Sequence, residues 1–184
     1  RQLGVGLLDP SVRLSGRIIA APGNIVKKPW VYNAAERQLF VSSYHLDENH
    51  ANALIRRMEQ LKPTVIDGYP SAILQLARLV SGRSRALSYL KAVVTTAETL
   101  QPESREDLET MTGVPVLDYY SASEGLPLVQ QCSEGVYHVR WQSGILEVFT
   151  PDGVAEEGDG EIVATSFVQD RTPLIRYRTG DLVR

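Results

Sequence analysis

The stretch TVIDGYPSAILQLARLVSG, residues 64–82, sets a short β-branched and apolar run before a turn and then places apolar residues at helical spacing. Thr64 to Asp67 reads as a strand and Gly68 to Ser71 as a turn. Ser71 is an N-cap candidate for a helix through Leu74, Leu76, Ala77, Leu79 and Val80 that Gly82 can end. The same alternation continues downstream. Lys91 to Thr96 is a second strand, and Pro102 suits the first turn of a helix with Glu103, Glu106 and Asp107 near its positive end and Gly113 at its close. Val114 to Tyr119 is then a third strand. Strand, helix, strand, helix, strand at this spacing implies right-handed crossovers and a largely parallel sheet covered by helices.

Upstream, Asp47 offers an N-cap, and Ala51, Leu54, Ile55, Met58 and Leu61 form one apolar stripe that Pro63 stops. Before it, Leu39 to Val41 and Trp30 to Tyr32 read as short extended runs. Arg13 to Ala21 reads as a strand-pair candidate broken at Gly16, followed by a turn at Pro22, Gly23 and Asn24. Beyond Glu124 the helical period disappears. Val136 to Val139, Gly144 to Thr150, Gly160 to Phe167 and Leu174 to Arg178 read as strands, with a hairpin-type turn at Pro151, Asp152 and Gly153. The expected fold is α/β: a mainly parallel sheet with helices over residues 1–130, then a smaller antiparallel β-rich part over 131–184.

Composition narrows the function. The 184 residues carry 19 Lys and Arg against 22 Asp and Glu, a formal charge of −3, which argues against a nucleic-acid binder working by bulk charge. With 43% hydrophobic and 22% charged residues the chain is globular and long enough to bury a core. No apolar run approaches the roughly 18 residues of a membrane span and no basic-then-apolar leader opens the sequence, so no membrane helix or secretory signal is expected, and the expected compartment is the cytoplasm. Cys132 is the single cysteine, which excludes an internal disulfide and a zinc site built on paired cysteines. Gly4, Val5 and Gly6 lack the preceding strand and third glycine of a dinucleotide fingerprint. The chain opens on Arg1 and stops at Arg184 without a polar tail, as expected of a piece of a longer protein.

In an open parallel sheet, ligands collect beyond the carboxyl ends of the strands. The loops there hold Ser43, Tyr44 and His45; Gly68 to Ser71; Thr95 to Thr99; and Tyr120 to Gly125. These hydroxylic and aromatic residues, with two carboxylates, suit stacking on a flat ring, donation to phosphate oxygens and ligation of a hard cation.

Tyr120, Ser121, Ala122, Ser123, Glu124 resembles the aromatic, Gly, any, Ser/Thr, Glu motif of the adenylate-forming superfamily, which includes acyl-CoA synthetases, luciferases and peptide-synthetase adenylation domains. Tyr177, Arg178, Thr179, Gly180, Asp181 resembles a second motif of that superfamily, and Thr96, Ala97, Glu98 is similar to its adenine-lining segment. The runs Ser42 to Leu46, Gly68 to Ser71 and Pro173 to Asp181 are most similar to the phenylacetate–CoA ligase-like branch, including relatives associated with capsular polysaccharide biosynthesis.

The resemblance implies an acid–thiol ligase that uses ATP, forms AMP-bound intermediates, needs Mg²⁺ and passes the acyl group to CoA or a carrier thiol. It implies Glu124 as Mg²⁺ ligand and, with Ser123 on the α-phosphate, as catalytic group. Tyr120 would stack on adenine, Ser121, Ala97 and Glu98 would line the nucleotide, and Asp181 would clamp the ribose. His45 and Tyr69 would border the acid. Arg178, two residues from Arg176, is expected either to approach phosphate or to pair with acidic neighbours. Glu98 is expected to act mainly through its backbone, and from the residues alone His45 and Tyr69 read as packing or loop residues rather than reactive ones. Ser121 stands where the motif commonly has glycine. The superfamily's upstream phosphate loop and C-terminal lid with its lysine are not in these 184 residues, so the isolated chain is expected to be inactive. A nucleotide-binding pseudoenzyme and an acid-activating enzyme of polysaccharide biosynthesis are the alternatives.

Overall fold

The computed structural model describes residues 4–6, 8–19, 28–83 and 85–183. The turn expected at Pro22 to Asn24, and the end of the strand-pair candidate at Ala20 and Ala21, lie outside them. The chain divides after Asp118 into two compact units, inside a strand, where the sequence reading sets its boundary at 130.

The first unit is built on strands β1 (Ser11–Ser15), β2 (Trp30–Asn33), β3 (Gln38–Ser42), β4 (Val65–Gly68), β5 (Ala92–Thr95) and β6 (Val116–Tyr120), ordered β2-β3-β1-β4-β5-β6. All neighbours are parallel except β2, which runs antiparallel to β3. Helices α1 (Glu48–Leu61), α2 (Pro70–Val80) and α3 (Pro102–Thr112) form the crossovers. Asp47 caps α1, its side chain accepting from the His50 amide at 3.1 Å, and Lys62 ends the helix in the left-handed conformation. Ala51, Leu54, Ile55 and Met58 are buried, and Leu54, Ile55 and Met58 join Leu14, Leu39, Ile66, Ile73, Leu76 and Val93 in one core. Fully burying one such side chain stabilises by about 1.5–3 kcal/mol.

Helix α2 begins earlier than the sequence suggests. Tyr69 is its N-cap and Pro70 its first residue, because the fixed φ of proline suits that position and its missing N–H costs nothing there. Ser71 lies in the first turn instead. At the end of β4, Gly68 has φ +144°, and a side chain there would collide with the Leu14 carbonyl, to which the Tyr69 amide also donates at 2.9 Å.

The second unit, from Tyr119, contains two antiparallel arrangements. In one, Tyr119 and Tyr120 pair with β7 (Val129–Gln131), which pairs with β8 (Tyr137–Val139). The other is ordered β10-β9-β11-β12, from β9 (Gly144–Thr150), β10 (Gly153–Ala155), β11 (Gly160–Ser166) and β12 (Tyr177–Val183). The last strand starts at Tyr177 rather than Leu174, since Arg176 adopts a left-handed backbone, φ +47°, that strand pairing cannot accommodate. No helix among the described residues is long and apolar enough to cross a membrane.

Candidate functional site

The loop after β6 closes as a turn in which the Gly125 amide donates to the Ala122 carbonyl at 3.1 Å. Ser123 and Glu124 are its two central residues and both are exposed. Gly125, at φ +78°, completes it in a conformation that favours glycine.

Asp181 reaches its position through a bulge. Between the paired positions Glu161–Leu182 and Val163–Arg178, β11 advances two residues where β12 advances four, so Thr179, Gly180 and Asp181 arch out of register. Two side chains hold the arch. The Thr179 hydroxyl donates to the Ile162 carbonyl at 3.0 Å and accepts from the Asp181 amide at 3.0 Å. The Glu161 carboxylate accepts from Arg178 Nε at 2.9 Å, again from Arg178 Nη2, and from the Gly180 amide at 2.9 Å. Arg178, through its hydrogen bond, and the Gly180 amide hold the Glu161 carboxyl below its ordinary pKa. The Arg178 guanidinium also lies over the Phe149 ring, 4.3 Å from its centroid. Arg176 goes elsewhere, to both oxygens of Glu147 at 2.9 and 3.1 Å. Of the two roles expected for these arginines, pairing with acidic neighbours is the one seen.

The arch brings the two motifs together. Tyr120 donates its hydroxyl to Asp181 Oδ2 at 2.7 Å, across 61 positions of sequence. Burial first, then the bond to Asp181, pushes the Tyr120 phenol up to about 12, and the charge of Glu124 adds to the same direction. Tyr120 therefore has both carboxylates near it. The phenol stays protonated at neutral pH and Asp181 is its acceptor.

The remaining expected residues belong to the first unit. Ala97 sits at φ +66°, a strained backbone for a residue with a Cβ. Its neighbour Glu98 accepts from the Ser71 amide at 3.1 Å and the Ser71 hydroxyl at 2.9 Å, so its carboxylate satisfies and neutralises the positive start of α2. Tyr69 holds its hydroxyl over Gly16, where a Cβ would stand 2.6 Å away. His45 is buried, its Nδ1 2.9 Å from Ser42 Oγ, and its ring meets His50 edge-on at 6.1 Å. Ser121 is exposed at the exit of β6.

The sequence reading puts Glu161 in the strand expected from Gly160 to Phe167 and gives it no role. Its place near the start of β11, paired with Leu182 next to the arch, was the available signal. Among the described residues no cluster of three or more His, Cys, Asp or Glu could hold a metal. Glu124 presents one exposed carboxylate on this turn, a donor that would fit Mg²⁺, which commonly takes one or two protein carboxylates beside phosphate oxygens and water.

A parallel α/β unit followed by antiparallel β structure, with these motifs in this order, defines an acyl-CoA synthetase-like fold. It matches 2-hydroxyisobutyryl-CoA ligase, solved in an open conformation with 2-HIB-AMP and CoA, at a TM-score of 0.65 and 19% identity over 98% of this chain and 44% of that one. By sequence the chain is 32% identical to protein CapK of Staphylococcus aureus over 173 residues, 94% of this chain and 38% of CapK. It is 27% identical to phenylacetate-coenzyme A ligase of Aromatoleum evansii over 141 residues, 71% of this chain and 32% of that protein. No protein-family model matches it. Sequence relatives and fold together support the adenylate-forming superfamily and its phenylacetate–CoA ligase-like branch, and the chain spans about a third of the length of these curated relatives.

Proposed function

We propose that this protein activates a small or aromatic carboxylic acid with ATP as an acyl-adenylate and transfers the acyl group to a thiol, that of CoA or a carrier. The observation that carries this reading is the 2.7 Å bond between Tyr120 and Asp181 with Glu124 close enough to raise the same phenol. Residues from two separate motifs converge there, and each has the chemistry the reaction needs.

Asp181 accepts the ribose hydroxyls, exchanging the Tyr120 proton for theirs. Tyr120 offers its ring to adenine and Ser123 its hydroxyl to the α-phosphate. Glu124 holds Mg²⁺, which when bound neutralises phosphate charge. Ala97 and Glu98 contribute backbone to the nucleotide, and with the Glu98 carboxylate committed to Ser71, the backbone is what they have to offer. Arg178 contributes by fixing the arch through Glu161, and His45 and Tyr69 border the acid through packing. The setting is the cytoplasm. The similarity of the runs Ser42 to Leu46, Gly68 to Ser71 and Pro173 to Asp181 to relatives associated with capsular polysaccharide biosynthesis favours a second reading, activation of an acid for that kind of synthesis.

ATP–pyrophosphate exchange by the full-length protein over a panel of acids tests the reaction, and AMP calorimetry tests the site. Asp181→Ala is expected to weaken AMP binding about 10- to 150-fold, the equivalent of a charge-assisted hydrogen bond of roughly 1.5–3 kcal/mol. Unchanged AMP affinity would remove the ribose role of Asp181.

A further inference from the structure

The turn that presents Ser123 and Glu124 has one internal backbone bond, from Gly125 to Ala122, and its two central residues are exposed. A turn so placed is mobile unless something outside it holds its carbonyls. Two side chains do so, one from the last residue of β11 and one from just beyond it. Gln169 Nε2 donates to the Glu124 carbonyl at 3.1 Å, and Ser166 Oγ donates to the Gly125 carbonyl at 2.6 Å. Ser166 is itself buried, its amide bonded to the Leu174 carbonyl at 2.9 Å and its hydroxyl accepting from the Val168 amide at 3.3 Å. The fit is close: a Cβ at Gly125 would stand 2.7 Å from Gln169 Nε2 and 3.3 Å from its Cγ.

We propose that Gln169 and Ser166 are positioning residues that fix the Ser123–Glu124 turn by bonding its two consecutive carbonyls, so that the Glu124 carboxylate is preset for Mg²⁺ and phosphate. The structural half of this stands alone, and the functional half rests on the ligase reading above. Neither residue touches the ligand in this scheme. Their loss should therefore act on what Glu124 and Ser123 hold and leave what Asp181 holds.

Gln169→Glu keeps the side-chain shape and removes the donor, and Gln169→Lys keeps a donor. In the full-length protein, amide hydrogen exchange at Gly125 should quicken at least about tenfold in Gln169→Glu and stay near the parent rate in Gln169→Lys. An unchanged rate in Gln169→Glu overturns the proposal whatever the protein binds. Binding is then read twice, as adenosine, which lacks the α-phosphate assigned to Ser123, without metal, and as ATP with Mg²⁺. The expected split is an unchanged adenosine affinity with Mg²⁺-dependent ATP affinity falling about tenfold, restored by Gln169→Lys. Equal losses of both overturn the positioning role. If the parent protein binds neither ligand while Gly125 exchange still responds to Gln169, the ligase reading fails and the anchoring of the turn survives. Should Gln169→Glu yield no folded protein, the same measurements on Ser166→Ala, which removes the second donor, decide the matter.

Discussion

Tyr120 and Asp181 share one proton between a phenol and a carboxylate, and the pH response of that pair can be worked out. The phenol is raised from its ordinary value to about 12. A raised group stabilises fully below its unfolded value near 10, and that contribution fades as pH climbs from there through about 12. In an ultraviolet titration one tyrosine should ionise after the others, and Asp181→Asn should bring it down, since the carboxylate both accepts its proton and repels its ionised form. Loss of the late step in Tyr120→Phe assigns it. Ala97 offers a second test. A left-handed backbone costs an L-residue about 1–2 kcal/mol, partly offset in glycine by greater freedom when unfolded. Ala97→Gly is therefore expected to stabilise by up to about 1 kcal/mol in urea unfolding. At this scale the sequence was readable for motif residues and blind to partners. Nothing local tells that Glu98 will reach back 27 positions to Ser71, or that Glu161 will hold Arg178 and Gly180, because those bonds exist only after the chain has crossed over or paired.

Elements with a clear period were legible and those without were not. The first helix announces itself by a cap, an apolar stripe and a proline; Leu54→Ala in it should cost about 2–5 kcal/mol and Arg56→Ala under about 0.5, by chemical denaturation. Strand β7, the polar Val129–Gln131, has too few residues to display alternation. The start of β12 was misplaced because Leu174 and Ile175 look like strand residues, while the conformation of Arg176 that delays the strand leaves no mark in composition. The arch in β12 has its own pH behaviour. Glu161 is held below its ordinary pKa, so its contribution is present above the ordinary carboxylate range and is lost as pH falls through the lowered value. Arg178→Ala should raise the Glu161 carboxyl in an NMR titration and speed exchange of the Gly180 amide.

For the molecule as a whole, fold class was foreseen from the order of its elements, whereas the details that hold the motifs in place came from tertiary pairing. Ligand and fold are linked by mass action: AMP at 100 times its dissociation constant should add about 2.7 kcal/mol to the part that binds it, or roughly 5–10 °C in midpoint for a chain of this size, and at the same AMP concentration Asp181→Ala should cut the gain to about 0.3–1.4 kcal/mol in a thermal scan. The two surplus residues in β12 carry a lesson for anyone comparing or engineering such chains. Removing one amino acid between Arg178 and Asp181 would leave every chemically important group encoded yet rotate the carboxylate to the opposite side of the strand. Spacing there is as much a part of the recipe as spelling.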